Sequence, residues 1–222
     1  MHPVPRVAPA APPPAGARTP CGTRDALRAA AARRFAAHGY HRTCLDDVAR
    51  DVGIRKASIF HHFAGKEALY RAVVAEGHGE VEAIVRRALA ADGGWLARLR
   101  RLLEAYVDLV AAHPEHTRIL VRQSLGDAPD GWDGRPDSER LLGMVGAFLA
   151  EGQRAGAFAP LDAQSLVLGV VGMVTFFFTS APVVAPGWRR ARSDERHLAR
   201  LRRHVTTVVL RALAPAAGLR GG

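Results

Sequence analysis

From Thr23 onward apolar side chains return every three or four residues, and no stretch reads as a strand. Leu27, Ala31, Phe35 and His38 form the stripe of a first helix, with Thr23 as its cap and Gly39 at its end. Leu45, Val48, Ala49 and Val52 share one face of a second, shorter helix that stops at Gly53. In "KASIFHHF" a third places Ile59, Phe60 and Phe63 inward or toward a neighbour. Two short helices pivoting on a glycine have helix-turn-helix geometry. A longer pattern opens at Lys66 and runs through Leu69, Val73, Val74, Val81, Ile84 and Val85, where Gly77 and Gly79 are expected to loosen or bend the helix. After Gly93-Gly94 come helical patterns at 95–112, 114–125, 137–155, 163–181 and 194–213, and Pro182 and Pro186 are expected to end the fourth of these.

The expectation is therefore an all-α chain: an N-terminal three-helix domain carrying the helix-turn-helix, then a larger α-helical domain. Residues 1–20, rich in Pro and Ala, read as a disordered tail. The first domain is set at 21–81, with the helix-turn-helix at about 44–63; the second at 82–214; and a flexible C-terminus at 215–222.

Composition narrows the classes. A formal charge of +10 makes an anionic partner such as nucleic acid worth testing. Of 31 cationic side chains only Lys56 and Lys66 are lysine, and both lie in "GIRKASIFHHFAGKEALY". Cys21 and Cys44 make no disulfide framework, and the N-terminus lacks the apolar stretch of a signal peptide, so a cytoplasmic location is expected; whether either cysteine senses redox state stays open. The uncharged run between Asp162 and Arg189 contains an unbroken apolar part shorter than the roughly 20 residues a bilayer needs, which favours a core or interface helix over a membrane span. "HPEH" at 113–116 has metal-like spacing, yet Pro114 starts a helix there and no third ligand is apparent, so a turn is the expected reading and no metal or cofactor is assigned. The sequence has no nucleophile elbow, P-loop, dinucleotide fingerprint or zinc-protease pair, which argues against an enzyme.

Around the third helix, the residues outward of Ile59 and Phe63 are Arg55, Lys56, Ala57, Ser58, His61 and His62. Cations and imidazoles can meet phosphates or base edges, and small residues permit close approach. The same set would suit the solvated face of a small bundle. Residues 39–70, "GYHRTCLDDVARDVGIRKASIFHHFAGKEALY", resemble the DNA-binding motif of the tetracycline-repressor-like (TetR) family. "DDVARDVGI" is similar to its Asp-Ile-Ala-x-x-Ala-Gly-Val run and "ASIFHHFAGKEALY" to its small-Thr-Leu-Tyr-x-His-Phe-x-x-Lys-Glu-x-Leu run.

The resemblance implies a homodimeric regulator, usually a repressor, that grips a palindromic operator on double-stranded DNA and releases it when a small molecule binds the C-terminal domain. It implies that Lys66 meets a DNA phosphate, that His62 reaches the backbone, and that Lys56, Ala57 and Ser58 face base edges. Three departures fall at helix N-caps: Cys44, Arg55 and Gly65 stand where the family favours capping side chains. Thr43 is a candidate to take over the second helix's cap and is counted with the DNA-contacting residues. Phe60 stands where the family's aromatic is normally Tyr, so a phosphate hydrogen bond is lost while the ring can still pack.

The basic surplus is not concentrated on this reader: residues 21–81 carry ten Lys+Arg against seven Asp+Glu, and residues 189–222 carry nine Arg against two acids. Arg192, Arg196, Arg200 and Arg203 recur at helical spacing, as a solvated face does. In the larger domain the resemblance implies dimerisation through helices at about 163–181 and 194–213. Candidates for its ligand pocket, all of which ordinary core packing would also explain, are Trp95, Tyr106, Gln123, Met144, Phe148, Met173, Phe176 and Phe177, with His113 and His116 as further polar anchors.

Overall fold

The computed structural model describes residues 22–184 and 194–215. The expected N-terminal tail, Cys21, Pro186, Arg192 and residues 216–222 lie outside them. The described residues form helices α1 (Thr23–Arg42), α2 (Leu45–Val52), α3 (Lys56–Ile59), α4 (Lys66–Ala90), α5 (Trp95–Ala112), α6 (Pro114–Ser124), α7 (Arg135–Arg154), α8 (Ala163–Val184) and α9 (Glu195–Ala212), with no strand among them.

One core gathers α1 to α4. Leu27, Phe35, Val48, Ile59, Leu69 and Val73 are each fully buried there. Tyr70 stands at its centre, edge-on to Phe35 at 4.9 Å and to Tyr40 at 5.0 Å. A second core lies among α5, α7, α8 and α9 around Val107, Leu149, Val174 and Val205, and a smaller cluster at Ile84, Val85 and Leu102 joins α4 to α5.

Several local expectations change. Gly22 is the N-cap of α1, so Thr23 is its first helical residue, and His38 points to solvent rather than closing the apolar stripe. Gly39 breaks α1 as expected, at φ 83°, a left-handed conformation that favours glycine. Neither Gly77 nor Gly79 interrupts α4, which runs unbroken for 25 residues. Gly77 lies where α6 crosses: a Cβ there would come within 3.1 Å of the His116 ring. Close approach of two helices thus offsets the roughly 1 kcal/mol that a mid-helix glycine costs. α8 continues past Pro182 to Val184.

Candidate nucleic-acid interface and sensor cavity

Gly53, left-handed at φ 76°, turns the chain between α2 and α3. After Ile59 the helix tightens: His61 N–H donates to the Ser58 carbonyl at 3.3 Å and His62 N–H to that of Ile59 at 2.8 Å, both three-residue steps. Buried Ile59 and Phe63 pin this segment to the core. Arg55, Lys56, Ala57, Phe60 and His61 are exposed, while Ser58 and His62 are half-buried. Of the three residues expected inward or toward a neighbour, Ile59 and Phe63 are buried and the Phe60 ring is 54% exposed on the same surface.

The electrostatics are uneven. Lys56 Nζ lies 2.8 Å from Oδ2 of Asp46, and the Cys44 thiol donates to the same oxygen at 3.2 Å. Hydrogen bonds from Lys56 and then Cys44 hold the Asp46 carboxyl below its usual range, and Asp46 raises the Lys56 ammonium. Lys56 therefore exchanges an exposed ion pair for any DNA contact. Among the described residues no hydrogen bond or ion pair engages the guanidinium of Arg42 or of Arg55, both exposed and near that pair in sequence. Arg42, in the last turn of α1, escapes the sequence pattern because it lies outside both short helices.

Lys66 is tied more closely than expected. Its ammonium donates to the carbonyl oxygens of His41 at 3.2 Å and Thr43 at 3.1 Å, and sits 4.4 Å from the centroid of the Tyr40 ring. An ammonium has three donors, so one is left for a phosphate. Thr43 is buried and its hydroxyl donates to the Gly39 carbonyl at 2.6 Å, so it neither caps α2 nor offers its hydroxyl outward. Cys44, Arg55 and Gly65 occupy the N-caps of α2, α3 and α4 without side-chain cap hydrogen bonds.

α6 reaches this unit through a polar clamp. Arg122 donates to the carbonyls of Ala36 at 3.1 Å and Ala37 at 2.8 Å, and pairs with Asp127 at 3.1 Å. Asp127 in turn accepts from the Tyr40 N–H at 2.9 Å, just beyond the Gly39 kink. A few residues on, Trp132 stacks edge-on against Tyr70 at 5.3 Å with the Arg71 guanidinium 5.1 Å from its ring. Nothing in the sequence pattern distinguishes Arg122 among so many arginines.

The larger unit holds a half-open cavity of about 280 Å³ walled mainly by aliphatic side chains of α4, α5, α7 and α8, and a smaller half-open one of about 90 Å³ adjoins it beneath α6. His78, Val81, Tyr106 and Leu120 line both. Of the residues expected here, Tyr106 lines both cavities, with burial pushing its hydroxyl pKa up to about 12, and Gln123, His113 and His116 line the smaller. The other six are misplaced. Trp95 and Phe148 pack on each other at 5.2 Å in the second core; Met173 and Phe177 join that core; Met144 packs on the α4–α5 cluster; Phe176 is 61% exposed. Aromatic rings and methionines drew the expectation, whereas Leu102, Leu141, Leu142 and Val145 supply the wall. The His113 and His116 rings stack at 5.7 Å, and among the described residues no metal-ligating group of three forms.

A helix-turn-helix unit clamped to a helical body that carries a half-open cavity has the build of a DNA-binding regulator. The family model for bacterial regulatory proteins of the tetR family matches residues 27–73, and that for the tetracyclin repressor-like C-terminal domain matches residues 96–209. The chain belongs to the TetR family and is a DNA-binding transcriptional regulator. It is 24% identical over 195 residues to the HTH-type transcriptional regulator RutR of Escherichia coli strain K12, covering 86% of this chain and 91% of that one. It is 31% identical over 97 residues to the HTH-type transcriptional activator FasR of Mycolicibacterium smegmatis, 44% of each chain. A tetR-family regulatory protein from Rhodococcus RHA1 shares the fold with a TM-score of 0.70 at 23% identity, over 88% of this chain and 99% of that one.

Proposed function

We propose that the protein is a homodimeric repressor that holds a palindromic operator and lets go when a small molecule fills the cavity under α6. The observation that carries this reading is the clamp: Arg122 and Asp127, at the end of the helix that roofs the cavity, grip α1 at its kink. Residues 21–81 act as the DNA-binding unit and 82–214 as the sensing and pairing unit, with α4 shared between them. Arg55, Lys56, Ala57 and Ser58 face base edges or the flanking backbone, and His61, His62 and Lys66 hold phosphates.

Pairing rests on α8 and α9. α8 is long and apolar enough by length and composition to cross a membrane, but only 17% of its Ala163–Ser180 window is buried within one chain. Val174 and Phe178 face the core while Leu168 and Phe176 stay exposed, and α9 adds exposed Val208. A second copy covering these faces makes a four-helix bundle. Such a regulator works in the bacterial cytoplasm. FasR's description as an activator favours a second reading, in which the same dimer activates transcription. A run-off transcription assay on the protein's own upstream region separates the two: transcript falls on adding a repressor and rises on adding an activator. Unchanged transcript with undisturbed operator DNA would overturn both.

A further inference from the structure

We propose that the effector is an uncharged molecule with an elongated apolar body and one hydrogen-bonding head, a hydroxyl, ketone, ester or lactone, whose body fills the larger cavity and whose head meets His78 and Gln123 in the smaller. This rests on the reading of the cavity as the sensor site. Among the described residues, neither wall carries a Lys, Arg, Asp or Glu, in a chain of which 23% of residues are charged. A ligand carboxylate or ammonium seated against these walls would shed much of its water with no counter-ion in contact, which disfavours a charged group there.

The head is met by neutral hydrogen-bonding groups. Nδ1 of His78 and Nε2 of Gln123 are buried without a hydrogen-bond partner of good geometry, Gln123 lying beside the Tyr70 hydroxyl, which is likewise buried without one. Buried polar atoms left in that state are uncommon and mark a place where a partner is missing. Desolvation, outweighing the Asp137 carboxylate 3.8 Å away, lowers the proton affinity of His78 and favours its neutral ring. Behind the other two imidazoles stands an acid: Glu80 lies 3.2 Å from His116 and 3.8 Å from His113. An anionic head would approach that carboxylate, and a cationic head would find no carboxylate on the walls formed by the described residues, Glu80 standing behind the rings. An uncharged head avoids both. Among the described residues the larger chamber offers His78, Tyr106 and Ser138 as its polar groups on a wall otherwise aliphatic, so most of the ligand must be apolar.

The test uses the full-length dimer and three probes with the same chain: decanol, decanoate and decylamine, titrated by calorimetry at neutral pH. The expected result is that decanol binds at least tenfold tighter than either charged probe, and that Gln123→Leu narrows that gap while leaving the thermal midpoint of the free protein nearly unchanged. Leu142→Trp, which fills the larger chamber, should abolish decanol binding; circular dichroism and operator binding of the same variant report whether it has folded. Equal or tighter binding of decanoate or decylamine overturns the proposal, as does decanol binding that survives in a folded Leu142→Trp variant. Operator binding by the free wild-type protein, measured in parallel by gel shift, fails only if the regulator reading itself is wrong, so the two failures are distinct.

Discussion

Lys66 joins the C-terminal end of α1 to the start of α4 through two carbonyls and one aromatic face, so its substitution is a structural event before it is an electrostatic one. A hydrogen bond to a charged group contributes about 1.5–3 kcal/mol, and a cation over a ring about 0.5–1 kcal/mol. Lys66→Ala should lower the thermal midpoint and weaken binding to every DNA sequence alike, read by scanning calorimetry and by gel shift on operator and scrambled duplexes. Lys56→Ala should behave differently: exposed and paired only with Asp46, it should leave stability within about 0.5 kcal/mol and change the rank order among operator variants. The compactness of an ammonium accounts for a lysine at Lys66, where the charge nests between carbonyls and a ring. Sequence alone showed the position and its positive charge; the carbonyl partners, 25 and 23 residues earlier in the chain, emerge only when α1 and α4 are packed.

At the scale of elements, helical periodicity locates the nine helices of the described residues because an apolar residue returns every three or four positions along most of them. Its errors have a common cause. Gly77 and Gly79 look like breaks when weighed by local propensity, but the packing of α4 against α5 and α6 overrides that preference. The cavity residues were misjudged for a related reason: aliphatic side chains at core spacing look the same whether they meet another side chain or an empty chamber. The clamp was likewise invisible, since Arg122 and Asp127 act on backbone groups some 85 residues away in sequence. Gly39, in contrast, was legible as a break, and packing raises the stakes: a Cβ there would fall 1.9 Å from Oδ2 of Asp127. Gly39→Ala should therefore cost more than the roughly 1–2 kcal/mol of a left-handed alanine. The check is urea unfolding, in which adding Asp127→Ala to Gly39→Ala should recover the part due to collision and leave the backbone part.

Over the whole molecule, the proposed DNA-reading unit, the clamp, the cavity and the proposed pairing helices depend on one another. Phe176→Glu puts a charge on the exposed apolar face of α8, away from the core-facing Val174 and Phe178. It should convert a dimer to a monomer by light scattering, keep the helical dichroism, and reduce operator affinity by more than tenfold, because one copy reads only half of a palindrome. The most direct test of sequence-specific DNA binding is the dissociation constant of the wild-type protein for its own upstream DNA and for a scrambled duplex of equal length, measured across a series of salt concentrations. The expected result is a large preference for the native sequence at every salt concentration, with both affinities falling linearly on a log–log plot as phosphate contacts release counter-ions. Equal affinity for the two duplexes, or binding that ignores salt, would contradict it.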